Sequence, residues 1–131
     1  MNILDENIPI DQRDLLRTWG VHCRVIGQDI APISIGDDNI LALLHRLKQP
    51  TLFTRDEDFF KHRLCHPAYG LVWLDVAPEE AAMFIRRVFR HPGFAAKASR
   101  LGSVIRAHHD GLQFWQKNRP APQRAGWTST Q

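Results

Sequence analysis

Short apolar runs alternate with amphipathic segments along the first ninety residues of this 131-residue chain. The runs at 2–4, 21–26, 51–54 and 71–74 have the length and composition of buried strands. Strands separated by helical segments form parallel sheets, because a parallel connection needs a long crossover. The pattern therefore predicts an α/β three-layer sandwich, with helices on both faces of a short, mostly parallel four-stranded sheet.

Capping and stop signals position the predicted helices between these strands. A first helix ends at Gly20, a second begins at Asp37 as its N-cap, and a third has Pro78 in its first turn. From Ala95 to about Trp115 apolar residues again recur at roughly helical spacing, and a frayed tail follows. We therefore expect one domain, in which residues 1–94 form the sandwich and residues 95–131 form a basic helical extension and tail.

Acidic clusters follow the first and third predicted strands. The carboxyl ends of parallel strands meet at one edge of a sheet, where ligands bind, and crowded carboxylates repel one another unless a cation lies between them. Oxygen ligands of this kind suit magnesium or manganese. The residues predicted to bind the metal and to act in catalysis are Asp5, Asp38, Asp56 and Asp58. Residues predicted to assist at the same site are Glu6, Asn7, Asp37, Asn39, Thr54 and Arg55.

Several of these residues also have purely structural interpretations. Asp37 suits a helix N-cap and Glu6 could cap the helix after the first strand. Arg55 could clamp a phosphate or pair with a neighbouring carboxylate. In an extended segment Asp56 and Asp58 would face the same way, whereas a tight turn would change their orientation. The sequence leaves both interpretations open.

Charge is unevenly distributed along the chain. Residues 1–80 hold 8 Lys/Arg and 13 Asp/Glu, a net of −5, whereas residues 81–131 hold 9 Lys/Arg and one acid, a net of +8. A cationic surface beside a metal-binding site suits a polyanionic substrate. We therefore expect the extension to bury its apolar face, on its own domain or a second copy, and to turn its basic face toward the substrate. The predicted nucleic-acid contacts are Arg86, Arg90, Lys97, Arg100 and Arg106.

The segments Leu4-Asp5-Glu6-Asn7 and Thr54-Arg55-Asp56-Glu57-Asp58-Phe59, with an acid-led helix near 37–41, resemble short PIN-like proteins related to VapC-type toxins. The resemblance covers about residues 2–90. It implies a magnesium-dependent ribonuclease, commonly the toxin of a toxin–antitoxin pair, with RNA as substrate and an antitoxin protein as partner. It also implies metal ligands at Asp5, at Asp56 or Asp58, and at Asp37 or Asp38. Asn39 stands where family members often carry a glutamate.

Two other functions fit parts of the same pattern. A degenerate PIN-like protein could bind RNA or a partner protein without cleaving, since Asn39 offers no charge. A phosphotransfer enzyme of another class, such as a Toprim-like one, could also use the later Asp-x-Asp. A zinc site at His62, Cys65 and His66 would lack a fourth ligand. The two cysteines indicate free thiols in a reducing compartment. With no membrane segment and no signal-like start, we expect a cytoplasmic protein.

Overall fold

Seven strands form one mixed sheet in the computed structural model, which describes residues 1–32 and 36–127. In chain order they are β1 (Asn2–Leu4), β2 (Arg24–Val25), β3 (Thr51–Thr54), β4 (Gly70–Leu74), β5 (Ser103–His108), β6 (Gly111–Gln116) and β7 (Gln123–Ala125). Across the sheet the order is β2-β1-β3-β4-β5-β6-β7. The first five strands are parallel, and the last two pair antiparallel. The prediction of four strands is therefore wrong, because the sheet continues into the C-terminal part.

Helices cover both faces of this sheet, as the sequence predicts. They are α1 (Ile10–Thr18), α2 (Asp37–Arg46), α3 (Ala81–Arg90) and the single-turn α4 (Lys97–Arg100). Shorter 3₁₀ turns lie at Glu57–Phe59, His62–Leu64 and Pro78–Glu80. The helices α1 and α3 pack on one face, and α2 packs on the other together with the first two 3₁₀ turns. No helix among the described residues is long and apolar enough to cross a membrane.

Alternation along the strands divides the interior into two cores. In β3, Phe53 faces α1 and α3, while its neighbour Leu52 faces α2, and both are fully buried. Successive strand residues point to opposite faces, so each parallel strand contributes to both cores. The two thiols lie on opposite sides of the sheet, because Cys23 packs against the first core and Cys65 belongs to the second. Both cysteines are free, in agreement with the sequence.

The C-terminal part is a β-hairpin with an added strand, and its predicted helix is wrong. Only α4 is helical between Ala95 and Trp115. The residues of β5 alternate between the two faces: Val104 lies in the core under α2 and Ile105 in the core under α1 and α3. An apolar pair at adjacent positions fits a helical stripe as well as a strand buried on both faces. In the structure this segment is a strand, in which successive side chains point to opposite faces of the sheet.

The turn between β5 and β6 carries the sequence signal that identifies a hairpin. His108 pairs with Gly111, so only His109 and Asp110 connect the two strands. Asp-Gly between apolar runs is a strong hairpin signal. Gly111 has a φ of 142°, and a side chain there would collide with the Ala125 carbonyl of β7. Glycine is therefore required at this position both for the turn and for the close approach of β7.

Candidate metal centre

The ends of β1 and β3 define the location of the candidate site. These two parallel strands are neighbours, with Leu4 opposite Phe53, and each is followed directly by an acidic segment. The first five strands have the order 2-1-3-4-5, so the chain changes direction across the sheet between β1 and β3. A crevice forms outside the carboxyl ends of the strands at such a point. Asp5 and Asp56 therefore lie at the position where this architecture binds ligands.

Asp5 is a buried carboxylate with only 5% of its surface exposed. Its Oδ1 accepts a hydrogen bond from the Glu6 N–H at 2.8 Å, and its Oδ2 accepts one from the Thr54 hydroxyl at 2.7 Å. Burial raises the pKa of Asp5, and the negative charges of Glu6 and Asp56 add to that effect. The two hydrogen bonds oppose the rise in pKa because they favour the charged form.

Asn7 and Thr54 join the two acidic segments. The Asn7 amide nitrogen donates to Thr54 Oγ1 at 3.1 Å and to Asp5 Oδ2 at 3.4 Å. Its amide oxygen accepts from the Arg55 N–H at 3.1 Å, which fixes the orientation of the amide. Thr54 Oγ1 also accepts from the Asp56 N–H at 3.0 Å. The segment after β3 is thus attached to the segment after β1 by side-chain hydrogen bonds on both sides.

Three carboxylates converge beside this network. One oxygen from each of Asp37, Asp56 and Asp58 lies within 4.8 Å of the other two. Asp56 caps the 3₁₀ turn Glu57–Phe59, where its Oδ1 accepts from the Asp58 N–H at 2.9 Å. The tight turn thus keeps both aspartates of the Asp-x-Asp segment on the same side. Partial burial, followed by repulsion from Asp56, Asp58 and Asp38, raises the pKa of Asp37.

The start of α2 supplies Asp37, although its role differs from the predicted one. Gly36 is the N-cap, and Asp37 is the first residue of the helix without a capping hydrogen bond from its side chain. Its carboxylate is therefore free to face the loop after β3 rather than its own backbone. Asp38 and Asn39 are exposed in the same first turn, and Asp38 is not one of the three clustered carboxylates. The negative charges are stabilised in part by the positive end of α2.

The chemistry of the three donors fits a hard divalent cation. Magnesium holds oxygen ligands about 2.0–2.1 Å away in an octahedron and keeps several waters, so two ligands of one ion lie roughly 3–4 Å apart. Carboxylate oxygens within 4.8 Å of one another reach that separation by small side-chain rotations. Asp37 and Asp58 are exposed and Asp56 is half-buried, which leaves room for water ligands.

Arg55 lies beside the cluster with an unsatisfied donor. Its Nε is buried and has no hydrogen-bond partner among the described residues, which include every acid of the chain. The ion pair with Glu57 or Asp58 that the sequence suggested is not among the ion pairs of residues 1–32 and 36–127. A buried donor without a partner costs about 1–3 kcal/mol.

Two of the five predicted nucleic-acid contacts are hydrogen-bonded to other residues of the protein. Arg100 is buried, and its guanidinium donates to Thr51 Oγ1 at 3.1 Å and to the Phe94 and Ala95 carbonyls at 2.8 and 2.9 Å. Arg106 donates twice to Asp75 Oδ2, at 2.9 and 2.7 Å. Arg100 is 4% exposed, and its Nε and one terminal nitrogen already bind the chain, so the structure gives it a structural role in place of the predicted nucleic-acid contact.

The remaining three predicted contacts stay exposed or partly exposed. Arg86 stacks on Trp19 with its guanidinium carbon 3.7 Å from the ring centre, and Arg90 and Lys97 are exposed. Lys97 lies near enough to the first residue of the chain for its charge to lower the pKa of the Met1 amino group. That location is the opposite edge of the sheet from Asp56. Lys97 therefore lies away from the carboxylate cluster, and the orientation of the extension's basic face toward the substrate stays a prediction.

The histidines and cysteine considered for zinc are used in packing. His62 stacks on Trp115 with ring centres 4.6 Å apart, and its Nε2 contacts the Gln116 carbonyl. His66 stacks on Tyr69. Within the described part of the chain, the three aspartates are the one group of three or more His, Cys, Asp or Glu side chains with ligand atoms close enough for a metal.

Trp127 was not placed by the sequence, and the structure assigns it a structural role. Its indole N–H donates to the His108 carbonyl, and its ring packs edge-on against Phe84 of α3.

Comparison of the chain with protein-family models, curated proteins and solved structures gave no match. Its resemblance to PIN-like proteins therefore stays a prediction.

Proposed function

We propose that the protein is a divalent-metal-dependent ribonuclease that hydrolyses RNA phosphodiester bonds at the carboxylate cluster. The observation that carries this proposal is the convergence of Asp37, Asp56 and Asp58 within 4.8 Å, at the sheet position where ligands bind. Their mutual repulsion is a cost of the unloaded site, and a cation removes it. Magnesium or manganese is the matching ion because all three donors are hard oxygens.

Each residue of the site has a separate part in this proposal. Asp37, Asp56 and Asp58 would hold the cation. Asp5 is a positioning residue, since both of its oxygens accept hydrogen bonds and it acts on Asp56 through the Thr54 hydroxyl. When bound, the cation supplies an activated water and neutralises charge on the phosphate. Without it, the clustered carboxylates repel a nucleic-acid backbone from the site.

RNA as substrate, and a role as the toxin of a toxin–antitoxin pair, rest on the resemblance of the two acidic segments to PIN-like toxins. In this proposal an antitoxin protein is the partner of the chain. Growth arrest on expression, lost in the Asp56→Asn variant, is the expected cellular result. Arrest that persists in Asp56→Asn would separate the toxicity from the carboxylate site and contradict the proposal.

Cleavage of a labelled RNA with magnesium or manganese tests the enzymatic part. Asp56→Asn and Asp58→Asn should each lower the rate by about a hundredfold or more, since outer-shell changes alone cost 10–100-fold. Asp110→Asn is the matched control, because it removes an exposed acid of the same edge outside the cluster. Wild-type protein that binds manganese in calorimetry but cleaves no RNA would refute nuclease activity and leave a cation-dependent binding protein.

A further inference from the structure

The acids of the molecule lie toward one edge of the sheet, whereas a group of exposed cations lies at the other. We call the carboxyl ends of the parallel strands the acidic edge, because acids follow them and occupy the helices and turns that begin there. All fourteen acids of the chain are found in these places. They are Asp5 and Glu6, Asp11 and Asp14 in α1, Asp29 after β2, Asp37 and Asp38, Asp56 to Asp58, Asp75 after β4, Glu79 and Glu80, and Asp110.

The opposite edge, where β3, β4 and β5 begin, carries exposed cations, and we call it the basic edge. Helices α2 and α3 end there, and so does β6, whose Gln116 pairs with Ser103. The exposed cations at this edge are Arg46, Lys48, Arg90, Lys97, Lys117 and Arg119. None of the six makes an ion pair with any residue in 1–32 or 36–127.

Part of this cationic surface is continuous. Lys117 and Arg119 line a depression of about 530 Å³ with Gly102 and Pro67. Arg119 also lines the adjacent depression together with Ala98, the neighbour of Lys97 in α4. A polyanion that follows the two depressions would therefore meet Lys117 and Arg119 and pass within one residue of Lys97 along the chain.

Two titratable groups at this edge have pKa values that are lowered by burial and by nearby positive charges. Burial, followed by the charges of Lys97 and Arg100, lowers the pKa of the Met1 amino group. Burial, followed by His45 and Lys117, lowers the pKa of His66. Like charges disfavour the charged form in both cases. A phosphate backbone would relieve this repulsion, because each phosphate brings a negative charge among the cations.

We propose that the basic edge is a docking surface for the phosphate backbone of a nucleic acid, separate from the carboxylate cluster. An acidic protein is the other polyanion to consider, but protein interfaces are anchored by buried aromatic and apolar side chains. The exposed large apolar residues among those described are Met1, Ile10 and Met83, and only Met1 lies at this edge. The basic edge thus presents positive charge without exposed apolar side chains, other than Met1, that could anchor a protein. Such a surface suits the phosphate groups of a nucleic acid.

The distance between the two edges makes docking separable from cleavage. Helix α2 runs from Asp37 at the acidic edge to Arg46 at the basic edge, and ten residues of helix span about 15 Å. A phosphate held by Lys97 or Lys117 is therefore not the one at the aspartates. Docking of RNA at the basic edge therefore does not depend on nuclease activity. An RNA strand long enough to reach both edges would contact the basic edge and the carboxylate cluster together.

Fluorescence anisotropy with a labelled single-stranded RNA in EDTA tests this proposal. The variant Lys97→Gln/Lys117→Gln/Arg119→Gln removes three cations from the basic edge. The control Arg24→Gln/Arg87→Gln/Arg124→Gln removes three exposed arginines elsewhere, so the net charge changes equally. At about 0.1 M salt the first variant should bind about tenfold or more weakly, and its salt slope should fall by about 2, whereas the control should retain both.

Three outcomes would overturn the docking surface. Equal losses in the two triple variants would show that only net charge matters. An unchanged affinity in the basic-edge variant would show that RNA binds elsewhere. Displacement of RNA by polyglutamate of matched charge at equal concentration would identify a surface for acidic protein. Asp56→Asn removes one repelling carboxylate and should bind RNA in EDTA at least as tightly as the wild type does, which distinguishes failure of docking from failure of the nuclease.

Discussion

Thr54 donates its only hydroxyl hydrogen to Asp5 Oδ2 across 2.7 Å, and its neighbours fix the direction of that bond. The Asn7 amide and the Asp56 N–H both donate to Thr54 Oγ1, which uses its two lone pairs. The hydroxyl hydrogen is therefore available to Asp5 alone, and Asp5 must act as an acceptor. A carboxylate buried after β1 is in this way coupled to the position of Asp56 after β3.

Thr54→Val should destabilise the protein and loosen the carboxylate cluster. Valine has nearly the same shape but leaves the buried Asp5 and the part-buried Asn7 and Asp56 without their bonds to the hydroxyl, and a buried group left unpaired costs about 1–3 kcal/mol. We expect the free energy of unfolding in urea to fall by about 2–3 kcal/mol and manganese affinity to fall as well. Thr54→Ser keeps the hydroxyl and should retain manganese affinity. Unchanged stability in Thr54→Val would contradict the importance of this network.

The raised pKa of Asp5 predicts a stability that declines with pH when no cation is present. Burial raises the pKa of the folded carboxyl above its unfolded value, so the folded state binds this proton more tightly. The free energy of unfolding should therefore decrease as pH rises through the ordinary aspartate range to the folded pKa. Asp5→Asn should flatten this slope in urea titrations with EDTA. If stability declined more steeply with pH in Asp5→Asn than in the wild type, the raised pKa assigned to Asp5 would be contradicted.

Arg100 should matter for stability rather than for RNA binding. Arg100 as a whole is 4% exposed, and its guanidinium donates three hydrogen bonds and lies over the Phe89 ring at 5.0 Å. Arg100→Leu should lower the free energy of unfolding by about 2–4 kcal/mol, since it leaves a buried hydroxyl and two carbonyls without donors. Arg100→Lys should recover only part of the loss because lysine lacks the planar fork. Lys97→Leu, an exposed change three residues earlier, should stay within about 0.5 kcal/mol.

The cysteines should react slowly with iodoacetamide in the folded protein. Burial raises the pKa of Cys23 to about 11, and it also raises the pKa of Cys65. The thiolate is the reactive form, so at about pH 8 Cys23 should be alkylated roughly a hundredfold more slowly than an unstructured cysteine. Mass spectrometry before and after addition of urea measures the difference. Rapid modification of Cys23 in the native protein would contradict the raised pKa of this partly buried thiol.

The N-terminal half of the fold could be predicted because its signals are local. The observed bounds of β1 and β3 are those predicted, since each is a short, mostly apolar run with an acidic segment after it. β2 is shorter than predicted, at two residues, because the preceding residues connect it to α1 without entering the sheet. The contribution of Asp37 to the three-carboxylate cluster depends on Gly36 taking the N-cap, a choice that sequence alone left open.

The C-terminal half could not be predicted because its decisive contacts are distant in sequence. Arg100 binds Thr51, which lies 49 residues earlier, and no local pattern identifies that partner. Helical spacing of apolar residues concealed β5 and β6, although Asp110-Gly111 marked the turn between them. The direction of the basic face depends on which edge each residue occupies, and that follows only from the complete strand order.

The two outermost strands, β2 and β7, have two and three residues. An outermost strand exposes unpaired backbone groups to which another chain can add, and such addition leads to aggregation. Strands this short offer an incoming segment only a few hydrogen bonds, too few to hold it in register. The sheet thus ends on both sides in a form that resists extension, so the buried strands β3 and β4 are protected from templating fibrils.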